Sequence, residues 1–476
     1  MKFIGRNEVL KQLQHLKLKK AASLVTIQGR RRIGKSSLVQ EFAKSSKRFF
    51  EFQGLAPRKG ITSQDQLNHF ADQLKIQISG LPKFSFENWT EAFAFLNKQI
   101  KKEPTVLLLD EISWMASSES DFVGKLKTAW DTLFKKNDKL ILVLCGSVSS
   151  WIEENIINDT DFMGRISLSI QLDELPLNLL IEFWRSQNPL PSSYDILQMV
   201  AVTGGVPRYL EEIKTPLSAM KNIESLCFNK NGLLFKDFEK IFNDVFLKRA
   251  KIYKEIVKTL VNEKRTLVEI TKALRMEKSG TLSSYLKDLT LAGFLERIQS
   301  YSFSKKNTKS FHYRIKDNYL RFYLKYIEPY HNQIEKNQFD FEKTKRMAQW
   351  EQIMGLQFES TILNNLSLMF GQLDIKSKDV IWAGPYFQSK TSKNLGSCQI
   401  DLMIHTRDQL LYICELKFKK NIGTEVINEM KRKIKILKRP RYLSIKTVLI
   451  AEGEIQRALF DKNYFNYIIE GGQLLT

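Results

Sequence analysis

Three sets of residues in this 476-residue chain have types and spacing suited to chemistry on phosphate. The first is Gly29-x4-Gly34-Lys35-Ser36, the spacing of a P-loop, which follows the apolar run Leu24-Val25-Thr26-Ile27. Glycines at both ends let backbone N–H groups turn inward on an anion, a curl that side chains obstruct. A helix starting near Lys35 adds the positive end of its dipole. In that geometry Lys35 reaches the β- and γ-phosphates and Ser36 ligates Mg²⁺. Gly29, Arg30, Arg31, Arg32, Ile33, Gly34 and Ser37 complete the expected ATP-binding loop.

The second set closes two apolar runs. Asp110 and Glu111 follow Thr105-Val106-Leu107-Leu108-Leu109, and Ser147 follows Leu140 to Gly146. Unbroken apolarity predicts buried parallel strands, and ligands in open α/β sheets bind at the carboxyl ends of such strands. Asp110 would hold the Mg²⁺ shell and Glu111 would polarise the attacking water; either acid could instead cap the next turn. Ser147 would sense the γ-phosphate or orient that water; a hydrogen-bonded turn serine fits the spacing nearly as well. The third set is Asp401 with Glu415-x-Lys417, on two further strand-like segments, behind a helix carrying Glu359. Glu415 and Lys417 are two apart and so share one strand face. Acids there would hold Mg²⁺ while the lysine positions or deprotonates water, as in a PD-(D/E)XK nuclease. A paired-charge core is the alternative. The triplet alone is weak, since Glu212-Ile213-Lys214 and Glu429-Met430-Lys431 match it on helical segments.

The elements that must position these residues need more than one core, because a chain of this length divides into domains. Hydrophobic content of 43% excludes a disordered chain. A formal charge of +22 favours a polyanion partner, nucleic acid or an acidic membrane face. Cys145, Cys227, Cys398 and Cys414 have no metal-type spacing and read as reduced thiols. No apolar stretch approaches the ~18–20 residues of a bilayer span, and Met1 to Gly5 has no signal core. The expected setting is cytoplasmic, without a membrane partner.

Along the chain, Gly5-Arg6-x-Glu8, the P-loop, Leu109-Asp110-Glu111-Ile112-Ser113-Trp114-Met115, Cys145-Gly146-Ser147 and Gly204-Gly205-Val206-Pro207 occur in order. This series resembles the archaeal-type AAA+ ATPases, a group close to the STAND class of signalling NTPases. The resemblance implies a place near the adenine for Gly5 and Arg6, and a lid segment on the nucleotide for Gly205-Val206-Pro207. From Gly164-Arg165 it implies an arginine near the triphosphate, supplied in the chain or by a neighbouring copy. Arg208 would extend toward the phosphates from beside Pro207. An exposed loop arginine is the plainer reading of Arg165 and Arg208.

Tyr253 to Ile298 reads as three short helices leading into a strand, the pattern of a winged helix-turn-helix. Its third helix exposes Ser279, Thr281, Ser283, Ser284 and Lys287, and its wing, Ser302 to Lys309, carries Lys305, Lys306 and Lys309. Such residues suit phosphate contact better than base reading. Docking of a protein is the alternative use. Phe322 and Tyr326 lie one turn apart on an aromatic helix that suits packing between domains, and His331 to Lys345 reads as a linker. The C-terminal part resembles the restriction-endonuclease-like domain attached to these ATPases, through Glu359, Gln399-Ile400-Asp401 and Glu415-Leu416-Lys417. From Lys417 to Lys446 there are eleven Lys or Arg against Glu425 and Glu429; Lys431, Arg432, Lys435, Lys438 and Arg439 fall on a helix able to follow a phosphate backbone.

The expected fold is α/β and multidomain: a P-loop ATPase core over residues 1–170, a helical lid over 171–248 and a winged helix-turn-helix with the aromatic helix over 249–330. A linker over 331–345 and an α/β nuclease-like domain over 346–476 complete it. The expected function is an ATP-binding and ATP-hydrolysing switch, with ATP and Mg²⁺ as cofactors, controlling a DNA-binding half. Nucleotide and DNA are the expected partners, with a nucleotide-dependent homo-oligomer as the candidate assembly. Whether the third set cleaves DNA is left open. The alternative is an ATP-dependent assembly protein with an inert nuclease-like domain and a winged helix that docks protein.

Overall fold

The structure, a computed structural model, describes residues 3–58, 60–100, 103–185, 190–246, 249–276, 280–303, 310–341, 348–388 and 397–476. Contacts gather these into two compact units. The first holds residues 1–173 together with 239–254 and 283–294; the second holds 174–238, 255–282 and 295–476.

The first unit is built on five parallel strands: β1 (Ser23–Gln28), β2 (Arg48–Gln53), β3 (Thr105–Asp110), β4 (Leu140–Gly146) and β5 (Ile166–Gln171). Their order across the sheet is β2-β3-β4-β1-β5. The unbroken apolar runs follow from helices covering both faces. Leu107, Leu109, Leu142 and Leu144 pack into one core with Phe70, Trp89 and Phe93. Val106, Leu108, Ile141 and Val143 point the other way, onto Leu13, Leu38 and Phe42. Each such fully buried Leu or Phe contributes roughly 1.5–3 kcal/mol. Two of the covering helices start with side-chain caps: Thr62 and Asp65 form a capping box, and Asn88 accepts from the Glu91 N–H. With both layers fixed, the carboxyl ends of β1, β3 and β4 run side by side. They deliver Gly29, Asp110 and Ser147 to one edge of the sheet.

The second unit contains a three-stranded antiparallel sheet, β6 (Arg265–Thr266), β7 (Leu295–Gln299) and β8 (Phe311–Ile315), in the order β6-β8-β7. It also contains a mixed sheet of β9 (Val380–Gln388), β10 (Cys398–Thr406), β11 (Leu410–Ile422), β12 (Ser444–Ile455) and β13 (Tyr467–Glu470). There β9, β10 and β11 are antiparallel neighbours, while β11, β12 and β13 run parallel. Helix Ala348–Leu363 is fixed by Gln357, which is fully buried. Its amide donates to the carbonyls of Ala201 (2.8 Å) and Asn318 (2.7 Å), and its oxygen accepts from Arg321 (3.1 Å).

Three local expectations are corrected. The segment read as a linker is partly helical (His331–Glu335) and buries Ile334; Phe341 packs on Phe228 and Trp350. The apolar alternation of β10 breaks at a register shift between Ile400 and Met403, which brings both into one core and re-aims Asp401 between them. Helix Glu425–Ile436 stops before Lys438 and Arg439, and the Arg439 guanidinium instead donates to the Leu443 carbonyl (2.6 Å). All four cysteines are free, buried thiols. Among the described residues no helix is long and apolar enough to cross a membrane.

Candidate functional site

The loop after β1 has the backbone that its glycines allow. Gly29, Arg32 and Gly34 have φ of 144°, 73° and 86°. A Cβ on Gly29 would stand 2.4 Å from the Leu172 carbonyl oxygen, so only glycine lets β1 and the chain after β5 close at this point. Helix Lys35–Ala43 begins directly after Gly34. Lys35 is buried, its ammonium donating to the carbonyls of Gly29 (3.0 Å) and Arg30 (3.1 Å). It therefore lies folded along its own loop.

Beside the loop, the Ser36 hydroxyl donates to Asp110 Oδ2 at 2.6 Å, and the other Asp110 oxygen accepts from the Glu111 N–H at 3.0 Å. One hydroxyl and one carboxylate thus meet at a point next to a cationic loop. That donor set fits a hexacoordinate Mg²⁺, which keeps several waters and takes few protein ligands. Ser36 and Asp110 would hold the ion, and bound with ATP it would neutralise phosphate charge. Glu111 sits in the left-handed region, φ 49°. For a residue other than glycine such a backbone is strained by about 1–3 kcal/mol and persists where surrounding contacts fix it. Those contacts come from Ser147, whose N–H (3.0 Å) and hydroxyl (2.8 and 2.9 Å) both meet the Glu111 carboxylate. Ser147 is 1% exposed and Glu111 7%, so the pair is shielded from bulk water.

The remaining expected nucleotide residues fall in different places. Arg6, itself at φ 61° beside Gly5, donates to the Asp173 carbonyl and to the Ile33 carbonyl (3.5 Å), so the N-terminal turn does meet the loop. Arg31 lies over the Trp114 ring at 5.7 Å. Arg30 is buried and lies 5.9 Å from the Phe294 ring, in the turn after helix Gly280–Leu291. Arg165 makes a two-pronged ion pair with Asp131, both N···O distances being 2.9 Å. In the second unit, Gly205 lies against the Leu175 carbonyl so closely that a Cβ would stand 2.1 Å from its oxygen. Pro207 opens the short helix Pro207–Leu210. Arg208 pairs with Glu211 (3.3 Å) and Glu212 (2.6 Å) next to that helix.

The C-terminal set is assembled around a residue that the motif did not include. Asp401, Glu415 and Lys417 do come together, with Lys417 2.8 Å from Glu415 and 2.9 Å from Glu429. Between Asp401 and Glu415 stands the Lys433 ammonium, 3.5 Å from Asp401 Oδ1 and 2.6 Å from Glu415 Oε2. Burial pushes the carboxyl groups of Asp401 and Glu415 above their usual range, and Lys433 partly offsets this for both. Burial pulls on the Lys433 ammonium too, but Asp401 and Glu415 more than reverse it and hold it above the usual lysine value. Glu359 lines a neighbouring cleft of about 360 Å³, with Lys264, Arg314, Arg321 and Phe387 among its walls. A nuclease's divalent cation does not fit this arrangement, because the Lys433 ammonium stands between the Asp401 and Glu415 carboxylates, where the ion would bind. Among the described residues no group of three or more His, Cys, Asp or Glu side chains is arranged to hold a metal. Lys433 was legible in one respect: with Val426 and Met430 it falls on the buried stripe of its helix, where a lysine needs a partner.

Of the residues expected to meet DNA, Lys287, Lys431, Arg432 and Lys435 are exposed. Ser279, Lys305, Lys306 and Lys309 lie outside the described residues.

Known proteins extend this picture. In fold, the chain is similar to a Walker-type ATPase of Pyrococcus abyssi, with a TM-score of 0.50 and 18% identity over 68% of this chain and 96% of that one. It is also similar to the ORC2 protein of Aeropyrum pernix, solved as ADPNP–ADP complexes, with a TM-score of 0.41 and 13% identity over 70% and 94% of the two chains. In sequence, it is 27% identical over 364 residues to an uncharacterized protein of Methanocaldococcus jannaschii, 75% of each chain being covered. Residues 3–213, which include the P-loop, Asp110, Glu111 and Ser147, match the model of a family described as an ATPase domain predominantly from Archaea.

Proposed function

We propose that this chain binds and hydrolyses Mg·ATP at the edge of its parallel sheet, and that the bound nucleotide controls a DNA-facing half. The observation that carries the reading is the pair of contacts at the strand ends: Ser36 on Asp110, and Ser147 on Glu111. Lys35 would leave the Gly29 and Arg30 carbonyls for the phosphates, and Asp110 and Ser36 would hold the cation. Glu111 would take a proton from the attacking water, with Ser147 setting its orientation. Gly5 and Arg6 would border the nucleotide.

A route from nucleotide to the helical elements starts at Arg30, since the same loop that would meet phosphate also packs on Phe294. The order of helix Ala250–Lys258, β6, helix Leu267–Ala273, helix Gly280–Leu291, β7 and β8 supports the winged-helix reading. Exposed Lys287 there, and Lys431, Arg432 and Lys435 on the C-terminal helix, supply charge for a phosphate backbone. ATP turnover measured with and without double-stranded DNA tests the link, and the expected result is stimulation. Binding should weaken steeply with salt, and Lys431→Ala/Arg432→Ala should reduce the slope of log K against log salt by about 2. A salt-independent affinity would favour docking of a protein on the same surface.

Arg165 is proposed to act on the nucleotide of a neighbouring copy, because in its own chain it is turned onto Asp131. Turnover per chain should then rise with protein concentration, and Arg165→Ala should flatten that rise. A rate independent of concentration would remove this role.

A further inference from the structure

The C-terminal cluster has the acids of a nuclease site, yet its centre is filled. Asp401 Oδ2 accepts from the Leu416 N–H at 3.1 Å, and Oδ1 faces Lys433 at 3.5 Å. Glu415 Oε2 accepts from Lys433 at 2.6 Å, and Oε1 faces Lys417 at 2.8 Å. Three of the four oxygens thus accept hydrogen bonds, and the fourth, Glu415 Oε1, is buried against the Lys417 ammonium without hydrogen-bond geometry. Lys417, which a nuclease would leave free to touch water, is held between Glu415 and Glu429. The Lys433 side chain is 10% exposed and that of Glu415 1%, so the pair is largely shielded from solvent.

A divalent cation entering between Asp401 and Glu415 would have to displace the Lys433 ammonium. The displaced ammonium would remain on the buried face of helix Glu425–Ile436 without the two carboxylates it now lies between, which low-dielectric surroundings oppose. A lysine on a helix is also permanently tethered, so its local concentration does not depend on the metal content of the medium.

We propose that Lys433 is the resident cation of this site: its ammonium replaces a divalent metal between Asp401 and Glu415, so the domain takes up no Mg²⁺ there and cleaves no phosphodiester. The P-loop half of the chain plays no part in this inference, which stands whether or not the chain turns over ATP. If the surface around the cluster meets DNA, it does so as a holder.

Titration with Mn²⁺, read by water-proton relaxation, tests this on the full chain without nucleotide and with the P-loop cation position disabled by Asp110→Asn. The expected result is that adding Asp401→Asn changes nothing, because no Mn²⁺ is bound at the cluster. In the same background Lys433→Met should gain a saturable Mn²⁺ signal that Asp401→Asn removes, while Lys433→Arg gains none. Saturable, Asp401-dependent Mn²⁺ binding in the chain that keeps Lys433 overturns the proposal, and so does a folded Lys433→Met chain that binds no Mn²⁺. Should Lys433→Met not fold, Lys433→Met/Glu415→Gln, which removes charge from both sides, should restore a folded chain by circular dichroism; failure to restore it also counts against the idea. Plasmid incubated with Mg²⁺ should show equal, trace nicking with wild type and Asp401→Ala.

Discussion

Lys35→Ala is expected to abolish measurable ATP turnover, lowering kcat by ~10²–10³-fold or more, the range for removing one preorganised charge from a transition state. In the structure the Lys35 ammonium is buried and rests on two carbonyls of its own loop, both neutral acceptors. Phosphate oxygens are stronger acceptors, because charge-assisted hydrogen bonds are roughly twice as strong as neutral ones. Moving from carbonyls to phosphate is therefore downhill, and alanine removes that gain in ground state and transition state alike. Nucleotide affinity should fall together with kcat, as read by titration with a fluorescent ATP analogue. The thermal transition of the variant checks that the loss is not one of folding. Unchanged turnover by a folded Lys35→Ala chain would dismiss the nucleotide site.

Glu111→Gln separates binding from chemistry. The carboxylate already accepts two donors from Ser147, and glutamine retains one acceptor oxygen of nearly the same shape. The backbone at φ 49° should therefore persist and nucleotide should still bind. Proton abstraction from water is lost, and positioned general bases contribute typically ~10²–10⁴-fold. The expected result is a chain that holds ATP at wild-type affinity and turns it over at least ~100-fold more slowly. Ser147→Ala should show an intermediate loss, since it frees the carboxylate from its hydroxyl donor without removing the base. If Glu111→Gln matched wild type in kcat, Glu111 would be a structural residue held by Ser147.

The contact between Arg30 and Phe294 gives these substitutions a second readout, because both residues lie in the first unit. Phosphate drawing on the loop would pull against the turn at Gly293-Phe294, which ends the helix carrying Lys287. Phe294→Ala should leave single-turnover hydrolysis intact while weakening any stimulation of turnover by DNA.

Sequence alone determined the loop-bearing edge of the first unit's parallel sheet, because every constraint there is local or periodic. Glycine spacing sets a backbone turn, unbroken apolar runs set parallel strands with two covered faces, and a short polar residue at each run's end must emerge at one sheet edge. Gly29, Lys35, Ser36, Asp110 and Ser147 are positions where chain order and spacing are sufficient to bring chemistry together. Tertiary structure alone decided who is paired with whom. That Ser147 grips Glu111, that Arg165 turns onto Asp131 and that a bulge re-aims Asp401 all depend on which separate elements become neighbours. It also decided the character of the C-terminal cluster. A motif names the acids that attract a cation, but electrostatics is indifferent to whether that cation is a metal or an ammonium. Only the packing of helix Glu425–Ile436 on β10 and β11 puts Lys433 between them.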